Sequence, residues 1–554
     1  MGLNACLRMA LGICLAVAPW AVGADTSGAL MSAEQGTERL GTVSFPVSCS
    51  PSVQPAFNRG VALLHDFWYA EARPQFERIL KADPSCAMAH WGIAMSVFHQ
   101  IWNRPPDDAA MTTGQHELQA ARKQPPKTAR EREYIAALSV FFKPGKEDYQ
   151  SRIEAYAAAM GELAKKHPDD VDAGAFYALA LLAAKKADDP SLDLPRKALA
   201  VLVPLWKKYP DHPGLVHYII HASDSPELAT EGLAAARHYG EIAASGAHAV
   251  HMPGHIFAQL GLWQEDIAVN RASVAACKAA EARHENGWMD QFHADDFLLY
   301  AYLQSGQDEQ ARTVVAEAMA AMDHYESMGN MTEEHGFMAW MFPRYRTRFP
   351  LFVALESRDW KGAAVLEPVK GASPSTQTDT YWGRTIADGH LRDATHARAD
   401  AARYDTLMEE AKKADAEAGN SASNRIQRGE VRGWVAFAEG NTVEAVKQLR
   451  AAADLQDQVG QGEVDIPARE MLADVLLESS QPQQALVEYQ QDLKRNPNRF
   501  CGLFNAGRAA EMANQPVVAR EYYAALLKST HDGAHSPRPE LAHARAFVNG
   551  LQFP

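Results

Sequence analysis

Small and apolar positions recur along this chain at an offset of 34 residues, most plainly near its C-terminal end. The stretches "MLADVLLESSQPQQALVEYQQDLKRNP" (471–497) and "NAGRAAEMANQPVVAREYYAALLK" (505–528) align so that Ala473 matches Gly507, Ala485 matches Ala519 and Tyr489 matches Tyr523. Each reads as two antiparallel helices. Small residues stand where the helices touch, and an aromatic fills the groove between them. Pro497 falls where such a pair should end. The same register fits "FNRGVALLHDFWYAEARPQFERILKADP" (57–84), through Gly60, Ala72, Phe76 and Pro84. Weaker units follow at "HIFAQLGLWQEDIA", "YAYLQSGQDEQA", "FVALESRDWKGAA" and "GWVAFAEGNTVEA". Strand signals are almost absent. The expected fold class is all-α, a right-handed superhelix (an α-solenoid) whose repeats bury a continuous core only by stacking.

A 34-residue unit with small residues at positions 8 and 20, a large one at 24 and proline at 32 resembles the tetratricopeptide (TPR) repeat. More narrowly, "RGVALLHDFWYAEA", "CAMAHWGIAMS", "HYIIHASDSPELA" and "HMPGHIFAQLGLW" are similar to blocks of exported bacterial proteins of that class. The resemblance implies fold and compartment, and generic binding of a peptide or protein partner in a concave groove. It implies no particular activity.

Interruptions of the pattern suggest the division of the chain. Residues 101–114 and 187–197 read as loops or insertions, and 367–384 are rich in Gly, Pro, Ser and Thr. The expected parts are a leader (1–24), an extension (25–48), a histidine-rich array (49–366), an irregular linker (367–393) and a plainer array (394–554).

The first residues, "MGLNACLRMALGICLAVAPWAVGADTSG", carry one charge, Arg8, before an apolar run. Val22 and Ala24 are small residues placed for cleavage after Ala24, so the segment reads as a secretory signal. A periplasmic or secreted protein is expected, without a stable membrane span. The net charge is −15, one unit more negative once Arg8 is removed. Such acidity argues against binding nucleic acid through bulk electrostatics. Of the cysteines beyond the leader, Cys49 and Cys86 stand near the starts of neighbouring expected helices and are the natural disulfide pair of an exported protein. Cys277 and Cys501 are expected to be buried thiols.

Histidine is the candidate chemistry. Six of the 21 histidines fall within residues 217–255, far above an even distribution. His217 and His221 recur one repeat later as His251 and His255, and each pair, four residues apart, shares a helix face. Taking Gly261 as the turn residue at repeat position 15, His248, His251 and His255 fall at positions 2, 5 and 9, which face the groove. By the same count His293, Asp296 and Tyr300 fall at positions 2, 5 and 9 of a later unit. His65 and His99 are 34 apart and border the groove. The pattern predicts that His217, His221, His251 and His255 converge in one groove, with His248 and His293 near its edge, and all six are candidate metal ligands. Asp224 and Asp296 would supply oxygens or orient imidazoles. Neutral imidazole suits a divalent transition metal such as Zn, Cu, Fe or Ni. The competing reading makes these rings hydrogen-bonding mortar between helices, in a scaffold that binds a partner without metal or catalysis. The sequence holds no HExxH, GxSxG, CxxCH or Walker loop. "REREYI" (130–135) reads as a salt-bridged helix face, "HGFMAWMFPRYRTRFP" (335–350) as core packing plus surface charge, and the histidines of the tail as solvated.

Overall fold

The computed structural model describes residues 38–101, 106–186, 189–282, 288–328, 335–414, 421–460, 464–531 and 536–550. The expected leader (1–24) and its expected cleavage site lie outside the described residues. Among these residues every regular element is helical, from the short turn Pro51–Val53 to the helix Pro539–Gly550. No described helix is long and apolar enough to cross a membrane.

The helices form hairpins of the tetratricopeptide type. Helix Phe500–Met512 packs on Pro516–Ser529, and Ala468–Glu478 on Pro482–Arg495, as the 34-residue offset predicts. A Cβ added at Gly507 would lie 2.5 Å from the Tyr523 ring, and one at Gly60 would lie 2.7 Å from the Phe76 ring. The residue at position 8 is therefore small because the aromatic at position 24 occupies its side-chain space.

The hairpin turns share one construction. Phe67, Gly261, Gly306, Arg358, Arg392, Gly440, Ser480 and Asn514 all have left-handed φ, between 56° and 80°. In each case the next N–H donates to the carbonyl five residues before it, as in Trp68→Leu63 (2.9 Å), Leu262→Phe257 (2.8 Å) and Gln515→Ala510 (2.8 Å). This is the Schellman closure, and glycine is its least strained occupant. Phe67 is the aromatic residue among these turn positions, and it borders the histidine site.

Residues 38–48 run in extended form along the N-terminal helices. Gly41 N–H donates to Ile242 O (2.9 Å), Thr42 N–H to Asp211 O (2.8 Å) and Phe45 N–H to Asn58 Oδ1 (3.1 Å). Phe45 is fully buried beside Phe57, Trp91 and Tyr134. The Sγ atoms of Cys49 and Cys86 face each other at 2.06 Å, within bonding distance. Cys277 and Cys501 are buried thiols.

The stretch 367–393 corrects the expectation of an irregular linker. It contains the helix Pro374–Leu391, started by a Ser373 cap on Thr376 N–H and by proline at its first position. Thr378 and Thr385 donate to the carbonyls of Ser375 and Tyr381, which lets the polar side chains lie buried. The composition was that of a loop, but the cap and these self-satisfied threonines support a helix.

The C-terminal helices also turn back onto the N-terminal ones. Trp263 Nε1–H donates to Asn498 O (2.8 Å), Arg495 pairs with Glu227 (2.7 Å), and Arg538 pairs with Asp308 (2.6 Å). Arg499, fully buried, binds Glu356 and Glu470 (2.9 Å each) and donates to Tyr300 Oη. A buried cation with two carboxylate partners is the compensated form of a group that would otherwise be costly to bury. The histidine face is consequently roofed over instead of lining an open groove.

Candidate functional site

Three helical segments carry the histidines: Pro213–Ser223, the broken pair Ala247–His251 and Pro253–Gln259, and Trp288–Gln304. Pro253 lacks an N–H and interrupts the second segment just after His251. The break leaves His248, His251 and His255 on one side, but they do not all serve one cluster.

The structure groups the rings into two triads. In the first, one nitrogen each of His217, His221 and His248 lie within 4.8 Å of one another. The same holds for His251, His255 and His293 in the second. Ring centroids in neighbouring triads approach to 6.3 Å for His248–His251 and 6.5 Å for His221–His255. His248 and His293, expected near the edge, are full members, and the four expected convergent histidines divide between the triads: the His217–His221 pair belongs to one and the His251–His255 pair to the other.

Partners on the outer nitrogens fix how the rings face. His251 Nδ1–H donates to Asn270 Oδ1 at 2.6 Å. Asn270 is oriented in turn by its own Nδ2–H bonds to Asp266 O (2.9 Å) and Asp266 Oδ1 (2.6 Å). His255 Nδ1–H donates to the Asp224 carboxylate at 2.8 Å, and Gln259 holds the other oxygen of Asp224. His217 Nδ1–H donates to the backbone carbonyl of His65 at 2.6 Å. In a neutral ring the proton on Nδ1 leaves a lone pair on Nε2. The Nε2 atoms of His251 and His255 then meet at 3.1 Å with a lone pair on each. The Nε2 atoms of His217 and His221 are buried with no hydrogen-bond partner among the described residues.

Burial favours the neutral form of four of these rings. His217, His221, His248 and His251 are all held well below the ordinary imidazole range, first by desolvation and then by neighbouring imidazoles. Burial raises the Asp224 carboxyl, but the hydrogen bonds it accepts from His255 and Gln259 help to hold it below its usual value. The deprotonated nitrogens are the form that a metal ion requires.

Gly254 sets the distance to the supporting helix Trp263–Ala282. A Cβ there would meet Asn270 Nδ2 at 2.8 Å and Asp266 Oδ1 at 2.9 Å. Phe67 covers the first triad, its ring 4.4 Å from His217, 5.5 Å from His221 and 5.7 Å from His248. Its left-handed backbone is a strained conformation for a bulky residue, of the kind found at functional sites.

A cavity of about 450 Å³ lies between the two arrays and reaches the site. His221 from one triad and His255 from the other are in its wall, with Asp224, Phe297 and Tyr300. Lys185, Glu227, Asp457 and Arg495 add charge of both signs.

The remaining expected groove residues have other positions. His65 is fully buried and corrects its assignment to the groove border. It bonds Tyr218 Oη and Asp172 (2.9 Å each), and His212 reaches the same Asp172 oxygen at 3.2 Å. Gly214 lets its helix close on the His65 ring, since a Cβ there would lie 2.2 Å from His65 Nδ1, and Phe176 stacks on that ring at 4.5 Å. Asp296 is not brought to the imidazoles, because Arg348 holds it at 2.8 Å. Half-buried His99 bonds Ser96 O (2.9 Å) and stacks on Tyr69. Tyr300 lines the cavity but donates to Asp465 O at 3.1 Å. The sequence reading missed Asn270, Phe67 and Asp290, whose carboxylate is 3.5 Å from His248 Nδ1.

No protein-family model matches the chain, and no curated protein sequence matches it. Among solved structures it is similar to Naa15/Naa10 bound to HypK-THB, at 13% identity over 89% of this chain and 72% of that one, with a TM-score of 0.22. It is also similar to the P58(IPK) TPR domain, at 12% identity over 91% of this chain and 99% of that one, with a TM-score of 0.19. Superpositions this loose carry no argument. The hairpin architecture rests on the turns and seams described above.

Proposed function

We propose that this protein binds a divalent transition-metal ion through buried imidazoles, with His251, His255 and His293 as the best-defined ligand set. The observation that carries the reading is the 3.1 Å approach of His251 Nε2 to His255 Nε2 while both Nδ1 atoms donate elsewhere. Two facing lone pairs repel. Two nitrogens each about 2.0–2.1 Å from one ion stand roughly 2.8–3.4 Å apart at right-angled to tetrahedral geometry. An ion between them turns a repulsive contact into two bonds.

The donor set suits the group. No thiolate is present in either triad, and three neutral imidazoles favour Zn, Cu, Ni or Fe. Asp224 and Asn270 orient their rings and raise ligand basicity, the usual role of such outer partners. His255 faces the cavity, so a ligand arriving there can reach the ion. An imidazole-bound ion with an accessible position polarises a bound water or oxygen donor.

Two further expectations belong to the same proposal. The leader sends the chain to the periplasm or outside the cell, and N-terminal sequencing of the exported protein should begin at Asp25. A peptide or protein partner remains the alternative occupant of the space between the arrays.

Isothermal titration of chelator-stripped, untagged protein with Co²⁺ at pH 7.5 tests the reading. Uptake that develops imidazole-type visible bands and weakens in His255→Ala supports it. The alternative places an additional proton between the two Nε2 atoms, favoured by the Asp224 carboxylate beside His255. Absence of Co²⁺ uptake together with a ¹⁵N-detected imidazolium at His255 would establish that alternative.

A further inference from the structure

We propose that the two triads hold two metal ions side by side in one dinuclear centre, with His217, His221 and His248 taking the second ion. This inference rests on the metal-binding reading above, but its evidence comes from other residues.

The second set has its own signature. Buried Nε2 atoms of His217 and His221 have no hydrogen-bond partner among the described residues, a costly state for acceptors sealed from water. His217 is not merely turned inward by packing. Its Nδ1–H is committed to the His65 carbonyl at 2.6 Å, so Nε2 is the acceptor that remains. Its ring centroid is 4.8 Å from that of His221 and 5.2 Å from that of His248. Asp290 stands 3.5 Å from His248 Nδ1, placed to orient that ring as Asp224 orients His255.

The two sets are adjacent. Between them, ring centroids are 6.3 Å and 6.5 Å apart, against 4.8–6.5 Å within the His217–His221–His248 triad and 4.5–5.5 Å within the other. Both reach the same cavity, one through His221 and the other through His255. Three imidazoles leave a position on each ion, and the shared cavity aims both positions at one volume. A small bridging ligand, such as hydroxide or an added azide, is the chemical class that fits between two ions presented in this way.

The test uses the full untagged chain, loaded with Cu²⁺ and passed over a weak chelating resin to remove ions from exposed histidines. Wild type should retain two Cu²⁺ per chain by elemental analysis. Its EPR signal should be broadened or depleted by coupling between the ions. His221→Ala and His255→Ala should each retain one, with an ordinary uncoupled signal. Circular dichroism and the thermal midpoint check that the variants fold, and the wild-type stoichiometry and coupling need no variant. One ion in wild type, lost in His255→Ala and unchanged in His221→Ala, overturns the dinuclear centre and leaves the single-ion reading intact. Two uncoupled ions also overturn it, and no retained ion overturns both proposals.

Discussion

Asn270 Oδ1 accepts the His251 Nδ1 proton at 2.6 Å, and the Asn270 amide is held by Asp266 from the other side. The site therefore depends on a residue that touches no proposed ion. Asn270→Ala should free the His251 ring to change tautomer and rotate. Partners of this kind typically carry about 10–100-fold in metal affinity. Co²⁺ titration of the variant should show a loss in that range with the helical circular dichroism spectrum intact. Unchanged affinity would show that the bond does not orient the ligand.

Gly507→Ala should destabilise the C-terminal hairpin. The new Cβ would sit 2.5 Å from a Tyr523 ring carbon, and a buried ring cannot yield without moving its helix. Overpacking of this kind costs about 1–3 kcal/mol. Urea unfolding should show the loss, with metal uptake unaffected because the Gly507–Tyr523 seam includes none of the six histidines.

The buried network around His65 predicts a pH effect with a definite sign. Its imidazole is pushed down to about 4, by burial first and by the neighbouring His212, against the pull of Asp172. Between pH 6.5 and 4 the unfolded ring binds a proton that the folded ring refuses, so its contribution is full above that window and falls as pH falls. Full traversal corresponds to roughly 3 kcal/mol. Buried carboxyls such as Asp295, raised to about 7 by desolvation, act in the opposite sense over the same range. The informative quantity is therefore the stability gap between wild type and His65→Gln. That gap should narrow by up to about 3 kcal/mol from pH 6.5 to 4, and a gap independent of pH would contradict the assignment.

Cys49 and Cys86 stand 37 residues apart with Cα atoms at 4.9 Å. Peptide mapping of the oxidised protein should find them linked. In the chain-entropy model, opening a loop of this size lowers stability by roughly 3–4 kcal/mol. Two alkylatable thiols in protein never exposed to reductant would refute the link.

Much of the fold was legible because it is written in spacing. Gly507 opposite Tyr523 and Gly60 opposite Phe76 are contacts that a 34-residue register states directly. The Pro374–Leu391 helix was not legible, because its glycine, serine and threonine content imitates a loop and only its cap and tertiary contacts decide. At the site, the imidazole pairs could be read, whereas their division into triads depends on the break at Pro253 and on the helix carrying His293. The missed residues did leave a trace. Counting Gly254 as position 8, Asp266 and Asn270 fall at positions 20 and 24, where the repeat otherwise places small and large apolar side chains. Phe67 likewise occupies the turn position that Gly261 and Gly306 fill. Departures from a repeat's own packing rule were the overlooked signal.

The most direct test of the account is anomalous scattering from crystals of the untagged protein grown at neutral pH with Zn²⁺, measured on both sides of the zinc edge. The account predicts an anomalous peak about 2 Å from both His251 Nε2 and His255 Nε2, with His293 completing the set. A map without a peak there, and with the two Nε2 atoms still about 3 Å apart in hydrogen-bond contact, would contradict it and leave these imidazoles as polar packing between helices.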